Sequence, residues 1–384
     1  MNILFLEAVQ SHGGARKSTL ELAERLTKQN HTAHIVDFWG NCEEFVEDAK
    51  SRNLPLKILN QRDSAIIIQS SKNPLQMVKQ LTSLYLDQKK MEKVLKDYIK
   101  KNNINYIVVN NSKTLSLLKK DESYKIIFFA RGWFNLNSIP KLKRILYRKR
   151  VDYFFGVSQS TRQSVFAGSF APLSNIFVVP NAIDIEKIEN FKKENPVVKT
   201  GKLKILHCGG FLKEKGQLLT LELAEKMKAQ GIDFEITIVG SLYDGASSVN
   251  FYNEVNELIK IKSLENDVKI VLNSKNPYQY FNETDMLIHP SYTEGLPRVV
   301  MEALAFKKPV IANAVGGVTD FILNNYTGVI CDFNVVDDYF NAVTHLHHNR
   351  AEYERLAENG YQLLLANYTP EKQVNKFEDV LKKL

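Results

Sequence analysis

Short apolar runs alternate with longer amphipathic stretches along the whole chain. In the first half the runs are Asn2 to Leu6, His34 to Phe38, Ala65 to Gln69, Tyr106 to Val109, Lys125 to Phe129, Tyr153 to Val157 and Ile176 to Val179. Their density of Ile, Val and Phe predicts strands covered on both faces. Between them, Thr19 to Lys28 puts Leu22 and Leu26 on one helical face, and Leu75 to Lys101 reads as one long helix. Strands separated by helices predict a parallel, doubly wound sheet.

The pattern then restarts. After a polar, Pro-containing segment from Asn190 to Gly201 come strand candidates Leu203 to Cys208, Phe234 to Val239, Val268 to Leu272, Met286 to His289, Pro309 to Ala312 and Gly328 to Ile330. This predicts a second α/β domain, with the linker at residues 185–201. The last stretch opens with Thr369-Pro370, an N-cap and N1 pair. Val374, Phe377, Leu381 and Leu384 then follow at helical spacing. The expected division is residues 1–188, with a closing helix at about 366–384, and residues 200–365.

Composition adds limits. The chain has 384 residues, 44% apolar and 24% charged, as an ordinary globular protein does. No apolar run approaches the roughly 18 residues that span a bilayer, so neither a membrane anchor nor a secretory signal is expected. Three scattered cysteines fit no disulfide framework and point to a reducing cytosol. The net charge of +8 is uneven: residues 1–190 hold 29 Lys+Arg against 18 Asp+Glu, and the rest hold 22 against 25. The basic half suits a phosphate-bearing substrate or a membrane surface. With no zinc spacing or RNP-like aromatic run, nucleic acid is not expected.

Two segments carry the chemistry. Ser11-His12-Gly13-Gly14-Ala15-Arg16-Lys17-Ser18-Thr19 joins the first strand to the first helix. Its glycine pair permits close approach of backbone to a ligand, and the helix start attracts anions. It is not a P-loop, because Arg16 precedes Lys17 where Gly is required, and no GxGxxG is present. The second segment, Pro290 to Leu304, begins at the carboxyl end of a strand, where open α/β sheets bind ligands. Pro297 suits helix position N1, which would aim the amides of Arg298, Val299 and Val300 at a phosphate. Glu294 and Glu302 would border the same crevice and can accept hydrogen bonds from sugar hydroxyls.

Glu294-Gly295-Leu296-Pro297-Arg298 through Glu302-Ala303 resembles the signature of the retaining GT-B glycosyltransferases of family 4, in a variant similar to members that assemble bacterial surface polysaccharides. Gly13-Gly14, Val157-Ser158, Pro180 to Asp184, Glu214-Lys215-Gly216, and Pro309 to Ala312 with Gly316-Gly317 agree in order over nearly the whole chain. The resemblance implies two Rossmann-like domains facing a cleft, an amino-terminal one for the acceptor and a carboxyl-terminal one for a nucleotide-sugar donor. It implies that Glu302 binds the ribose, Glu294 the donor sugar and Lys215 the diphosphate. Gly13, Gly14, Gly210, Gly295, Leu296, Pro297, Arg298 and Val299 would complete the donor seat, with Asn273 near the base. Neither a metal nor a cofactor is expected.

Two positions depart from that family. Gly210 stands where the resemblance places an Arg beside the diphosphate, and Arg131 stands where it places a His near the reacting sugar. An arginine can hold a hydroxyl or phosphate but cannot shuttle a proton. His12 and Arg16 are candidates for acceptor or phosphate contact. Lys141, Lys143, Arg144, Arg148, Lys149 and Arg150 surround a stripe of Leu142, Ile145 and Leu146. That stretch is either a membrane-facing surface or a solvated face packed on the core. The sequence thus predicts a cytoplasmic, membrane-peripheral retaining transferase that moves a UDP-linked sugar to a glycan on a lipid carrier or lipopolysaccharide core. A sugar-nucleotide-binding partner subunit without turnover is the alternative.

Overall fold

The computed structural model describes residues 1–64, 74–134, 139–197, 201–243, 246–274 and 276–384. Two compact units emerge, residues 1–179 with 373–384 and residues 180–372. The strand expected at Ala65 to Gln69 lies outside the described residues.

In the first unit the elements are β1 (Asn2–Glu7), α1 (Gly14–Lys28), β2 (Thr32–Asp37), α2 (Glu43–Ser51), β3 (Leu56–Ile58), α3 (Pro74–Lys101), β4 (Tyr106–Val109), α4 (Ser112–Ser116), β5 (Lys125–Ala130), α5 (Lys141–Arg150), β6 (Tyr153–Gly156), α6 (Gln159–Ala167) and β7 (Ile176–Val178). The strands form one parallel sheet in the order β3-β2-β1-β4-β5-β6-β7. β3 is only Leu-Lys-Ile at the sheet edge, too short to register as a hydrophobic pattern. The apolar runs are buried on both faces, as in β5, where Ile126 through Ala130 are all covered. Phe128, Phe134, Tyr147, Phe154 and Phe170 meet mostly edge to face beneath α5, with Phe128 and Tyr147 centred 4.9 Å apart. Such pairs add about 0.5–1.5 kcal/mol each beyond the area they bury.

The second unit begins with α7 (Ile185–Glu194), then β8 (Leu203–Cys208), α8 (Gln217–Ala229), β9 (Phe234–Gly240), α9 (Ala246–Ile261), β10 (Val268–Leu272), α10 (Tyr278–Glu283), β11 (Met286–His289), α11 (Arg298–Ala305), β12 (Val310–Asn313), β13 (Val329–Cys331), α12 (Val336–His348) and α13 (Arg350–Asn367). Its parallel sheet runs β10-β9-β8-β11-β12-β13. Each sheet therefore reverses its winding once, between β1 and β4 in the first unit and between β8 and β11 in the second. Both are Rossmann-like, and the carboxyl ends of strands at such a reversal are where this architecture opens a crevice.

The final helix, α14 (Pro370–Leu381), is capped by Thr369, whose Oγ1 accepts the Lys372 N–H at 3.3 Å. From Gln373 onward it belongs to the first unit. Arg25 donates to Gln373 Oε1 (2.8 Å), His31 meets Glu378 (2.8 Å), and Phe377 packs edge-on against Phe155. The helix stops at Leu381, so Leu384 falls outside it, and Val380 takes the remaining buried place in the apolar stripe.

Candidate active site

In the second unit the loops after β8 and β11, the two strands flanking the reversal, close on each other. The segment after β8 passes Gly209 and Gly210, forms a single 3-10 turn at Lys213–Lys215 and enters α8 through Gly216. Gly216 has φ of +77°, and a Cβ there would lie 2.2 Å from the Pro290 carbonyl oxygen, so both backbone sign and space require glycine. This allows the Tyr292 N–H to donate to the Glu214 carbonyl at 2.8 Å. On its other side the Glu294 loop is held by the turn after β12. Gly317 N–H donates to Gly295 O (2.8 Å), Asn313 Nδ2 to Ser291 O (3.1 Å), and Tyr339 hydroxyl to Asn313 Oδ1 (2.9 Å). Asn181 Nδ2 reaches Leu296 O at 3.3 Å. The loop is thus fixed by buried partners on both flanks.

This clamp brings Glu294 and Lys215 together. Lys215 Nζ and the Ser291 hydroxyl each donate to Glu294 Oε1 at 2.7 Å, and His289 Nε2 lies 3.0 Å from the same oxygen. The Glu294 side chain is 11% exposed. Burial alone would raise its pKa, but His289 and Lys215 outweigh burial and hold the carboxyl down at about 2. Glu294 is therefore a carboxylate at any pH at which the protein works. Nearby, His207 is fully buried with Nδ1 2.7 Å from Thr220 Oγ1, and burial, with His289 and Lys215 adding to it, lowers its pKa to about 3. It is neutral. Cys208, at the end of β8, has its thiol pKa pushed well up by burial and by the neighbouring Glu302. It is not a nucleophile.

One expected position shifts. Helix α11 starts at Arg298 with Pro297 as its N-cap, not its N1 residue, and the first intrahelical bond runs from Met301 N–H to Pro297 O. The amides of Arg298, Val299 and Val300 still occupy the helix start, where N–H groups point outward. Glu302 follows one turn later, half-buried. At Gly210 a Cβ would come within 2.3 Å of Cε2 of the exposed Tyr243 ring, so a larger residue there would need that ring to move. Asn273 follows β10 in the left-handed region (φ +51°), exposed, with its N–H on Gly240 O at 2.8 Å.

In the first unit the candidates converge at the reversal between β1 and β4. Helix α1 begins at Gly14, five residues before the expected Thr19, with Gly13 as N-cap and Arg16 in the first turn. Arg16 Nε stands 3.8 Å from Glu7 Oε2. Glu7, which ends β1 and is 2% exposed, also accepts from Asn110 Nδ2 (2.7 Å) and the Thr19 hydroxyl (3.3 Å). Arg131 donates to Thr19 Oγ1 at 3.0 Å and lies over the Phe129 ring, 4.5 Å from its centre. Burial raises the Glu7 pKa, with Arg16, Asn110 and Arg131 pulling the other way. Arg16, Arg131 and the buried Asp37 all act on Glu7, so the strand ends here carry a compact cluster of opposite charges. His12 is turned instead to α2, where Nε2 lies 2.8 Å from Asp48 Oδ2 and the ring packs edge-on to Phe45.

On α5 the predicted stripe divides. Leu146 and Tyr147 pack on the core, while Leu142 and Ile145 face outward. Of the six cations, Arg150 donates to the carbonyls of Leu115 (3.1 Å) and Leu118 (2.8 Å) near the end of α4, and Arg148 to Ser169 O (2.8 Å). Lys141, Lys143 and Lys149 are exposed. His289, Ser291, Glu7 and Asn110 were not singled out from sequence. Their common signal is position, the last residue of a strand beside the reversal or one just after it.

Comparison with known proteins agrees with this geometry. The profile described as glycosyltransferase family 4 matches residues 12–187, and that of glycosyl transferases group 1 matches residues 188–363. An uncharacterized glycosyltransferase of Haemophilus influenzae is 24% identical over 395 aligned positions, covering 98% of each chain. Lipopolysaccharide 1,2-N-acetylglucosaminetransferase of Salmonella typhimurium is 24% identical over 225 positions, 55% of this chain and 57% of that one. Among solved structures, Anabaena Alr3699/HepE in complex with UDP-glucose superposes with a TM-score of 0.79 at 16% identity, covering both chains fully. A glycosyltransferase from Rickettsia africae superposes at 0.77 with 21% identity, over 100% of this chain and 98% of that one.

Proposed function

The chain is a glycosyltransferase of the group 1 and family 4 type, and from that premise we propose that it moves a sugar from a UDP-linked donor to a growing bacterial glycan on a lipid carrier or lipopolysaccharide core. We further propose retention at the anomeric carbon and turnover without a metal. The observation that carries the reading is the fixed Lys215–Glu294 pair beside the start of α11, at the winding reversal of the second unit. The names of similar proteins, one acting on lipopolysaccharide and one bound to UDP-glucose, support the substrate classes.

In this reading each group has one task. The leaving diphosphate gains charge as the sugar departs, and fixed cations and amides aimed at it lower the barrier. Lys215 has three N–H donors and uses one on Glu294, so two remain to face phosphate. The amides of Arg298 to Val300 and the Arg298 side chain complete that seat, in place of the cation that position 210 lacks. Glu302 accepts the ribose hydroxyls and Glu294 a donor-sugar hydroxyl, with Asn273 near the base. Arg16 and Arg131 of the first unit receive the acceptor or its phosphate, and the exposed lysines of α5 meet an anionic membrane surface.

Calorimetric titration with UDP, GDP and ADP, followed by a donor-hydrolysis assay, tests this directly. The expected result is UDP binding with slow release of sugar from one UDP-sugar, unchanged by EDTA. Glu302→Ala is expected to weaken UDP by about 1.5–3 kcal/mol, the worth of a charged hydrogen bond. Binding of none of the three nucleotides would reject the donor site. Binding without hydrolysis or transfer to any acceptor would favour the inactive-partner reading.

A further inference from the structure

One oxygen of Glu294 is offered more donors than it can accept. Lys215 Nζ and the Ser291 hydroxyl both donate to Oε1 at 2.7 Å, and His289 Nε2 stands 3.0 Å from the same atom. A carboxylate oxygen has about two lone-pair sites, so the two short contacts fill it. His289 is left over: despite its approach, Nε2 is buried, off the line of a hydrogen bond, and finds no hydrogen-bond partner among the described residues. The Ser291 hydroxyl has a second acceptor in Glu214 O at 3.2 Å, but its one proton serves one of them, and the shorter contact to a charged oxygen is the stronger.

An Nε2 so close to a carboxylate carries its proton there, because a lone pair would face negative charge. The imidazole is 4% exposed at the last position of β11, so water does not serve it. A buried donor is thus aimed at an acceptor already full, which costs stability for as long as it lasts. Lys215 is the member of the set that can give way. Its side chain is 21% exposed and ends a flexible four-carbon stem. In the function proposed above its two unused N–H groups face the diphosphate, and two phosphates outweigh one carboxylate in charge. The arriving diphosphate therefore draws the ammonium toward itself and lengthens its bond to Oε1.

We propose that His289 is a positioning residue that takes over Glu294 as Lys215 is drawn to the diphosphate: its Nε2–H donates into the Oε1 site that the lysine vacates. The carboxylate then keeps two donors and its place in the loop while the lysine neutralises the leaving group. The exchange also makes it easier to detach Lys215, because the bond His289 gains is one it lacks beforehand. This deepens the reading of the donor site and rests on it for the task of Lys215, whereas the exchange of partners on Glu294 is measurable without any nucleotide.

The first measurement is nitrogen-15 NMR of the full chain, labelled at its 8 histidines, without nucleotide. His289→Gln identifies the His289 signal by its loss. Lys215→Ala is expected to move the His289 Nε2–H resonance downfield as it bonds the vacated oxygen, and an unmoved resonance would overturn the proposal. The second is a double-mutant cycle in UDP affinity by calorimetry. His289→Leu is expected to weaken UDP about tenfold when Lys215 is present and less than about twofold when Lys215 is already Ala. His289→Gln, which keeps an N–H donor near the place of Nε2, is expected to recover most of that loss. Equal losses in both backgrounds would make His289 a packing residue and overturn the proposal. So would Lys215→Ala with the UDP affinity of wild type, because the lysine would then not be drawn away. A wild type that binds no UDP rejects the donor site instead, and the exchange then stands or falls on the resonance shift.

Discussion

At the scale of single residues the decisive fact is that Glu294 is ionised by its neighbours. Its pKa is about 2 in the fold against 4.5 ordinarily, so the folded state gains stability from it that is complete above about pH 4.5 and disappears as pH falls toward 2. The difference corresponds to roughly 3 kcal/mol. Glu294→Gln is therefore expected to lower stability at pH 7 by an amount of that order, with the gap to wild type closing below pH 4 in denaturant titrations. Donor hydrolysis by the variant is expected to fall at least about a hundredfold at every pH. An unchanged rate would remove Glu294 from the site. Glu294 and Glu302 were candidates because they share one short motif, and Lys215, 79 residues before Glu294, because of its own Glu214-Lys215-Gly216 motif. It hid His289, whose contact with Glu294 depends on a strand end, and Glu7, whose partners come from α1, β4 and β5. Pro297 was misplaced by one position because proline is compatible with both N-cap and N1, and only the bond from Met301 decides.

At the scale of elements, strands were legible wherever a run was long enough to need burial on both faces. β5 and β11 read directly, whereas three-residue β3 did not, since an edge strand of that length has no pattern to display. Helix starts were harder: Gly14 to Ser18 read as loop because the glycine pair suppresses helical propensity, yet the free helix end is what a ligand-facing turn uses. On α5, Leu142 and Ile145 read as members of one stripe with Leu146, although only the last packs inward. Loops are held by single positions too. Gly316 has φ of +52°, and a Cβ there would lie 1.8 Å from the Glu294 carbonyl oxygen. Gly316→Ala is expected to cost about 1–3 kcal/mol in strain and to push the Glu294 loop outward. Calorimetry is expected to show UDP affinity reduced about tenfold or more with the fold retained. Unchanged affinity would mean the loop does not hold the donor.

At the scale of the molecule, the repeated strand–helix rhythm with a break near residue 190 was enough to foresee two Rossmann-like sheets. Strand order was not legible, because every parallel ordering of the same runs buries the same residues. Helix α14 leaves the second unit and completes the first through Gln373, Phe377 and Glu378. A chain ended at Lys372 is expected to lose protection from hydrogen exchange in α1 and β6, the elements α14 covers, while UDP binding by the second unit persists. Equal protection would show that the helix contributes little there. The same arrangement sets an order of events during synthesis. All of the second unit has been made before the last piece of the first exists, so the half begun earlier is the half finished later. Until then Phe155 has Phe129 and Phe177 beside it but not Phe377, and a nascent chain waiting at that stage offers the uncovered part of that aromatic surface to whatever it meets first.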